Sequence, residues 1–266
     1  MEIPKGWWEK KFIKKPDEIT TKNCLSYWFP ILKKTGVKIP KTVFWDMDKA
    51  DPNFVRGMKR LFWMEEPNKE EVEAFNLFRR LLEKAGDMIG YPIFLRSGQL
   101  SNKHDWKDSC FVEKKESLMS HVQAIAEFSI MVDMKGGLPI NVWVVREIIA
   151  STPGFYFFNN MPITTEMRFF FNDGKVICYH PYWPQKAFKN CKDIKSKLDK
   201  LYSTVGSEIE GLIDATEGVA QSFRGYWSLD WLRAKSGEWF AIDMAIGESS
   251  YHYPGCNKEI LIRRDK

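Results

Sequence analysis

The 266-residue chain is 44% apolar and 28% charged, the composition of a globular protein that can bury a sizeable core in one large or two modest domains. No apolar run approaches the length of a membrane-spanning helix, and the Met1-Glu2-Ile3-Pro4 start lacks a basic flank and apolar core, which excludes a transmembrane helix and a secretory signal. A net charge of +5, spread out rather than gathered in a tail, fits an anionic ligand such as a nucleotide and also weak nucleic-acid affinity. Five scattered cysteines, Cys24, Cys110, Cys178, Cys191 and Cys256, form no Cys-x-x-Cys pair and read as reduced, mostly buried thiols in a cytoplasmic compartment.

In chain order, residues 1 to 22 read as a basic, irregular, solvated arm, with Lys10, Lys11, Lys14 and Lys15 around Phe12-Ile13. Cys24 to Leu32 reads as a short apolar helix kinked or ended near Pro30. Lys41 to Trp45 is a candidate strand; its acidic sequel, Asp46 to Asp51, lacks the glycine and closing glutamate of a calcium loop. Pro67 to Gly86 has Asn68 as a cap, Glu70 and Glu71 in the first turn, and a core stripe of Val72, Phe75, Phe78, Leu81 and Leu82. Pro92 to Arg96 reads as a strand, followed by the polar loop Ser97 to Trp106 and a short strand at Cys110 to Val112. A helix over about 116–131, a turn at Gly136-Gly137 and a β-branched strand over 140–149 come next.

Glu166 to Phe171, the turn Asn172 to Lys175, and Val176 to Tyr179 spell a hairpin. Helices over about 191–202 and 207–223 precede a second hairpin, Trp227 to Ala245, whose turn centres on Ser236-Gly237 and sets Asp230 opposite Asp243. The mixture of strands, helices and antiparallel hairpins gives an α+β, or mixed α/β, class rather than a doubly wound sheet. Like charges facing each other destabilise a sheet, so two readings are open for the aspartates. Either a hard divalent cation lies between them, or the pair faces solvent and is splayed by strand twist.

Arginine within an apolar strand is costly without a partner, and it occurs at Arg96, Arg146 and Arg168. Guanidinium forks match phosphate oxygens, so the three arginines and two aspartates suit a phosphate chain with its metal; local pairing with Glu147 or Glu166 is the structural alternative. The loop after Arg96 offers Gly98 and Lys103 to phosphates without being a Walker motif. His104, His121, His180 and His252 show no metal-ligand spacing, and no covalent nucleophile is evident; His121 reads as structural, and His252 lies where it could touch substrate. Eleven tryptophans read as core and cleft walls, or with the lysines as base-stacking platforms.

These segments, Phe94-Leu95-Arg96-Ser97-Gly98 through Lys103-His104-Asp105-Trp106, Val144 to Ile149, Glu166 to Phe171, and Leu229-Asp230 with Ile242 to Ala245, resemble the ATP-grasp superfamily. Within it they resemble the viral and bacterial clade carrying two arginines and a lysine, and the eukaryotic translation-factor assembly chaperones of the same fold. The likeness covers about residues 90 to 250. It implies an N-terminal α/β region over 1–90, a small lobe over 91–145 and a large lobe over 146–266, with ATP held between two antiparallel sheets. Arg96 and Lys103 would reach the phosphates, Val145, Arg146, Glu147 and Ile148 would form the adenine hinge, and Arg168 with Arg146 would act on the transferred phosphoryl group. Asp230 and Asp243 match the thirteen-residue spacing of the superfamily's Mg²⁺ ligands; Ala245 stands where an asparagine is usual, and Glu248 would substitute. The implied activity is an ATP-dependent carboxylate ligase passing an acyl-phosphate to an amine, thiol or protein acceptor, in the cytoplasm of a host if the source is a bacteriophage. A nucleotide-binding assembly chaperone and a nucleic-acid-binding protein are the alternatives.

Overall fold

The computed structural model describes residues 17–132, 138–254 and 256. The basic arm around Phe12-Ile13 and the Gly136-Gly137 turn lie outside them. The chain divides into two compact units, one made of Lys41–Ile148 with the segment ending at Ser26, the other of Tyr27–Pro40 with the segment beginning at Ile149.

The first unit holds strands β1 (Thr42–Asp46), β2 (Ile93–Ser97), β3 (Phe111–Val112) and β4 (Val142–Glu147) in the order β1-β4-β2-β3, every neighbouring pair antiparallel. Alternation sends Ile93, Leu95, Trp143 and Val145 into a core with Phe54, Phe78, Leu82, Val122 and Ile125, which come from helices Asn53–Phe62, Lys69–Ile89 and Leu118–Val132. The same alternation turns Phe94, Arg96, Val144 and Arg146 to the opposite face, where Arg96 pairs with Val144 and Phe94 with Arg146. Strand arginines are therefore compatible with the core because they are on its far side.

Helix Lys69–Ile89 starts with a reciprocal capping box, the Asn68 side chain accepting from the Glu71 amide and Glu71 accepting from the Asn68 amide. Two expectations change here. The helix runs past Gly86 and ends at Gly90, whose φ of +89° is the left-handed turn only glycine adopts cheaply. Gly86 instead makes room for the Tyr91 ring, which a Cβ would strike. Val72 is 43% exposed, because the inward position of the first turn belongs to Glu71, fully buried and accepting from Arg60 Nε at 3.0 Å.

The second unit carries β5 (Phe155–Phe157) and β6 (Met161–Ile163) as a small hairpin, and β7 (Glu166–Asn172), β8 (Lys175–Pro181), β9 (Tyr226–Arg233) and β10 (Trp239–Ile246) as an antiparallel sheet in the order β10-β9-β7-β8. The β7–β8 turn places Asp173 and Gly174 at φ +42° and +87°, the paired positive dihedrals of a tight hairpin. Helices Ile194–Tyr202 and Ile209–Ala220 follow as expected, and Trp231 Nε1 donates to Thr216 Oγ1 at 2.9 Å, fixing the second helix to one face of the sheet.

Near the N-terminus, Asp17 caps a helix at Glu18–Asn23 by accepting from the Thr20 amide at 2.7 Å, so the chain is helical where an irregular arm was expected. Helix Leu25–Lys34 continues through Pro30 without ending. Proline there costs about 3 kcal/mol. Burial of Leu25, Trp28, Phe29 and Leu32, at roughly 1.5 to 3 kcal/mol each, outweighs it.

Candidate functional site

The β9–β10 hairpin sets Asp243 opposite Asp230, as its spacing predicts, but by a different route. From the turn outward the pairs are Trp239 with Arg233, Phe240 with Leu232 and Ala241 with Trp231; continued regularly, that register would leave Asp243 facing Leu229. A bulge between Ala241 and Asp243 absorbs one residue and brings the two carboxylates together.

On the next strand inward, Arg168 of β7 pairs with Asp230, and beyond it His180 of β8 pairs with Arg168. One rung of the sheet thus reads Asp243, Asp230, Arg168, His180, all on the face opposite the helix Ile209–Ala220. Arg168 grips Asp230 with a fork, Nε to Oδ1 at 2.7 Å and Nη2 to Oδ2 at 2.8 Å. Burial alone would pull the guanidinium down, but the Asp230 carboxylate more than reverses this, with Asp243 adding to the effect, so its pKa is raised. The cation nearest Asp230 is therefore an arginine of the chain itself, neither Glu147 nor Glu166 being its partner. Asp243 is half-buried and its Oδ1 accepts from the Met244 amide at 3.2 Å. Glu248 is exposed, on the short helical turn Gly247–Ser249.

The fit to Mg²⁺ can be judged from the donor set. A carboxylate has about four acceptor lone pairs, so Asp230 can accept two bonds from Arg168 and still offer an oxygen to a cation it shares with Asp243. Mg²⁺ ordinarily takes one or two carboxylates and completes its shell with waters and phosphate oxygens, so the pair suits it. Ala245 offers no side-chain ligand.

The segment after β10 crosses this face. Ser250 Oγ lies 2.6 Å from Ser228 Oγ, and Tyr251 O accepts from Arg168 Nη1 at 3.4 Å. His252 meets the Phe170 ring edge-on at 4.2 Å, and Tyr253 stacks on His180 at 4.1 Å. Burial, with Arg168 nearby, depresses His180 to about 4, so it is neutral at physiological pH. His252 packs on the protein: its Nε2 is 2.6 Å from Cys178 Sγ. The histidines have no metal-ligand spacing in the sequence, yet the donor atoms of Cys178, His252 and Cys256 lie within 4.8 Å of one another. Among the described residues Asp230, Asp243 and Glu248 make no group that tight. The four-residue step from His252 to Cys256 was the available signal; Cys178, on a distant strand, gave none.

In the first unit, Arg96 is buried and its Nε donates to the Ser97 carbonyl at 3.1 Å, while buried Arg146 donates from Nε to Thr42 Oγ1 at 3.0 Å. The loop between β2 and β3 is built firmly. Gly98 is sandwiched between Cys24 and Val142, where a Cβ would meet the sulfur at 2.5 Å, and its amide and carbonyl bond Val142 O and Leu25 N at 2.8 Å each. Ser109 Oγ bonds the carbonyls of Asn102 and Asp105 at 2.7 and 2.6 Å, closing the short helical turn Lys103–Asp105. Burial pushes the Cys110 thiol up to about 12 while the charges of Lys103 and Arg96 pull against it, so both cations lie within electrostatic reach of one sulfur. His121 is structural: Nδ1 sits 2.7 Å from Ser109 O. Val145 is fully buried on the core face, and Glu147 Oε1 accepts from the Lys41 amide at 2.6 Å, tying β4 to the start of β1.

No helix among the described residues is long and apolar enough to cross a membrane. No curated protein sequence matches the chain. Among solved structures, Cdc123 from Schizosaccharomyces pombe is similar at 14% identity and a TM-score of 0.52, over 86% of this chain and 84% of that one. D-alanine–D-alanine ligase from Bacillus anthracis, solved with ATP, matches at 12% identity and 0.43, over 87% of this chain and 56% of that one. N5-carboxyaminoimidazole synthase from Aspergillus clavatus, solved with ADP and 5-aminoimidazole ribonucleotide, matches at 11% and 0.48, over 89% and 47%. The chain spans about half the length of the last two. At such identities likeness speaks for fold alone, and of the three it is the Cdc123 structure that carries it. The model of an ATP-grasp domain family, the third of the clade named for two arginines and a lysine, matches residues 84–263, well over half the sequence. The fold is ATP-grasp, with its α+β class and antiparallel sheets, and the chain belongs to this third family of the two-arginine, one-lysine clade of ATP-grasp domains.

Proposed function

We propose that the chain binds ATP with Mg²⁺ and activates a carboxylate for ligation to an amine or thiol. The observation that carries this is the rung Asp243-Asp230-Arg168 on the face of an ATP-grasp sheet opposite the helix Ile209–Ala220: two hard-oxygen ligands beside a fixed guanidinium. Mg²⁺ held by Asp230 and Asp243, with Glu248 at the edge of the site, would neutralise phosphate charge. Arg96 and Lys103 would bind the phosphates, and Val145 to Ile148 would supply backbone groups to adenine. Arg168, with Arg146 as the second arginine, would stabilise charge on the transferred phosphoryl oxygens.

In that reaction a substrate carboxylate oxygen attacks the γ-phosphorus, the bond to the β-phosphate oxygen breaks and ADP leaves. The amine or thiol then attacks the acyl carbon, loses its proton, and expels inorganic phosphate. The protein's task is mostly electrostatic and positional. A second reading, nucleotide binding without turnover, is favoured by the fork that Arg168 keeps on Asp230 and by Ala245 at the third ligand position. The test is ADP release from the full chain on adding panels of carboxylates and amines. Release that requires both co-substrates supports ligation; tight Mg²⁺-dependent ATP binding without release under any pairing supports the second reading.

A further inference from the structure

We propose that Cys178, His252 and Cys256 form a site for a thiophilic divalent cation of the zinc class, which staples the C-terminal segment onto the sheet face carrying Arg168 and Asp230. This is a separate site from the hard-oxygen pair Asp230 and Asp243, and it stands whether or not the chain turns over ATP.

Three donors from two parts of the chain converge. Cys178 comes from the middle of β8, and His252 and Cys256 from the segment that crosses the sheet; their ligand atoms lie within 4.8 Å of one another. Two sulfurs and one imidazole nitrogen are a donor set that zinc accepts and Mg²⁺ does not. The surroundings are dry: Cys178 is fully buried and Cys256 is 7% exposed. Two thiolates and a neutral imidazole around a divalent cation sum to zero charge, the composition a buried site tolerates. Loading releases two thiol protons and leaves His252 protonated on Nδ1, with a fourth position for water. The imidazole is already oriented, lying edge-on to Phe170 at 76°.

Tetrahedral zinc, with bonds near 2.3 Å to sulfur and 2.0 Å to nitrogen, spaces its ligand atoms about 3.5 Å apart. The Cys178 Sγ to His252 Nε2 distance of 2.6 Å must therefore open by about an ångström, within reach of a side-chain rotation at half-buried His252. Without an ion, the same three groups would be a thiol–imidazole hydrogen bond beside a second thiol, or a Cys178–Cys256 disulfide under oxidising conditions.

The position of the cluster says what a bound ion would do. In register, Ala245 faces Ser228, Ser228 faces Phe170, and Phe170 faces Cys178, so Cys178 is in the rung adjacent to Asp243-Asp230-Arg168-His180. Tying His252 and Cys256 to that rung holds Tyr251 and Tyr253 over Arg168 and His180. The cation would fix the cover on one half of the face and leave Asp243, at the β10 edge, as the approach to Asp230.

The experiment uses the full chain, stripped of metal by a chelator under reducing conditions and dialysed against Zn²⁺, with retained zinc measured by mass spectrometry and Co²⁺ as the optical probe. The expected result is one zinc per chain and a thiolate-to-cobalt charge-transfer band. Cys178→Ser, Cys256→Ser and His252→Ala should each lower retained zinc at least tenfold, and Cys191→Ser should leave it unchanged. Zinc retained equally by the Cys178→Ser and His252→Ala chains, a cobalt spectrum without a thiolate band, or a Cys178–Cys256 disulfide that forms at the same rate with and without saturating zinc would each overturn the proposal. The cobalt spectrum of the unaltered chain decides the matter even where a cysteine variant does not fold.

Discussion

The two four-stranded sheets solve the same problem differently. Each is antiparallel, and each carries arginine on the face opposite one of its packed helices. In the second sheet Arg168 is forked onto the carboxylate of a neighbouring strand, so its charge is built into the fold. In the first sheet the Nε groups of Arg96 and Arg146 go to a backbone carbonyl and a threonine hydroxyl. The difference is between an arginine forked onto a carboxylate of the neighbouring strand and arginines whose Nε groups are set by neutral oxygens.

The largest effect is expected at Asp230. Asp230→Ala removes both acceptors of the fork and leaves the mostly buried Arg168 with Asp243 as its nearby carboxylate, and is expected to destabilise the second unit by about 3 kcal/mol in urea denaturation. A loss under 1 kcal/mol would mean that the fork is not structural. Lys103→Ala tests the other side: it is expected to weaken ATP binding about tenfold, equivalent to about 1.4 kcal/mol, while shifting the unfolding midpoint little; Arg96→Ala should weaken binding by a similar factor and also lower the midpoint, because its side chain is buried. Thr42→Ala removes a single bond from Arg146 and should cost only about 1 kcal/mol.

The smallest effect belongs to Glu208, which accepts a fork from Arg233 and a bond from Trp239 Nε1 at 2.6 Å. The Arg233 hydrogen bonds hold its carboxyl below the usual range. A lowered folded-state value means the unfolded chain binds the proton more readily. This contribution is therefore present above about pH 4.5 and is lost as pH falls further. The pair is partly exposed, so Glu208→Gln should cost about 0.5 kcal/mol at neutral pH and less in acid, read from denaturation midpoints across pH.

The hairpins were legible because their turn residues and alternation are local: Asn172 to Lys175 and Lys235 to Gly237 mark both turns, and the spacing of Asp230 and Asp243 follows. The bulge that delivers this pairing was not, since no glycine or proline announces it at Ile242. Arg168's partner lies 62 residues away and depends on which strands become neighbours, a choice made by the whole sheet. The hairpin at Phe155–Phe157 and Met161–Ile163 escaped notice because its strands are three residues long and its turn uses Phe158, Asn159 and Asn160, all at positive φ, without a glycine. Pro30 does not end its helix because tertiary burial outweighs a local rule, and the Cys178, His252 and Cys256 cluster was hidden because its members meet only after the C-terminal segment crosses the sheet. For the candidate site, sequence supplied the residue types and the family likeness their assignments; geometry added what each side chain already holds.

The most direct test is calorimetric titration of ATP into the intact chain and into Asp243→Asn, each with and without Mg²⁺. Asp243 is half-buried and is not the main partner of Arg168, so this change should spare the fold. Mg²⁺ is expected to strengthen ATP binding at least tenfold in the unaltered chain and to have little effect in the variant. Equal strengthening by Mg²⁺ in both would contradict this.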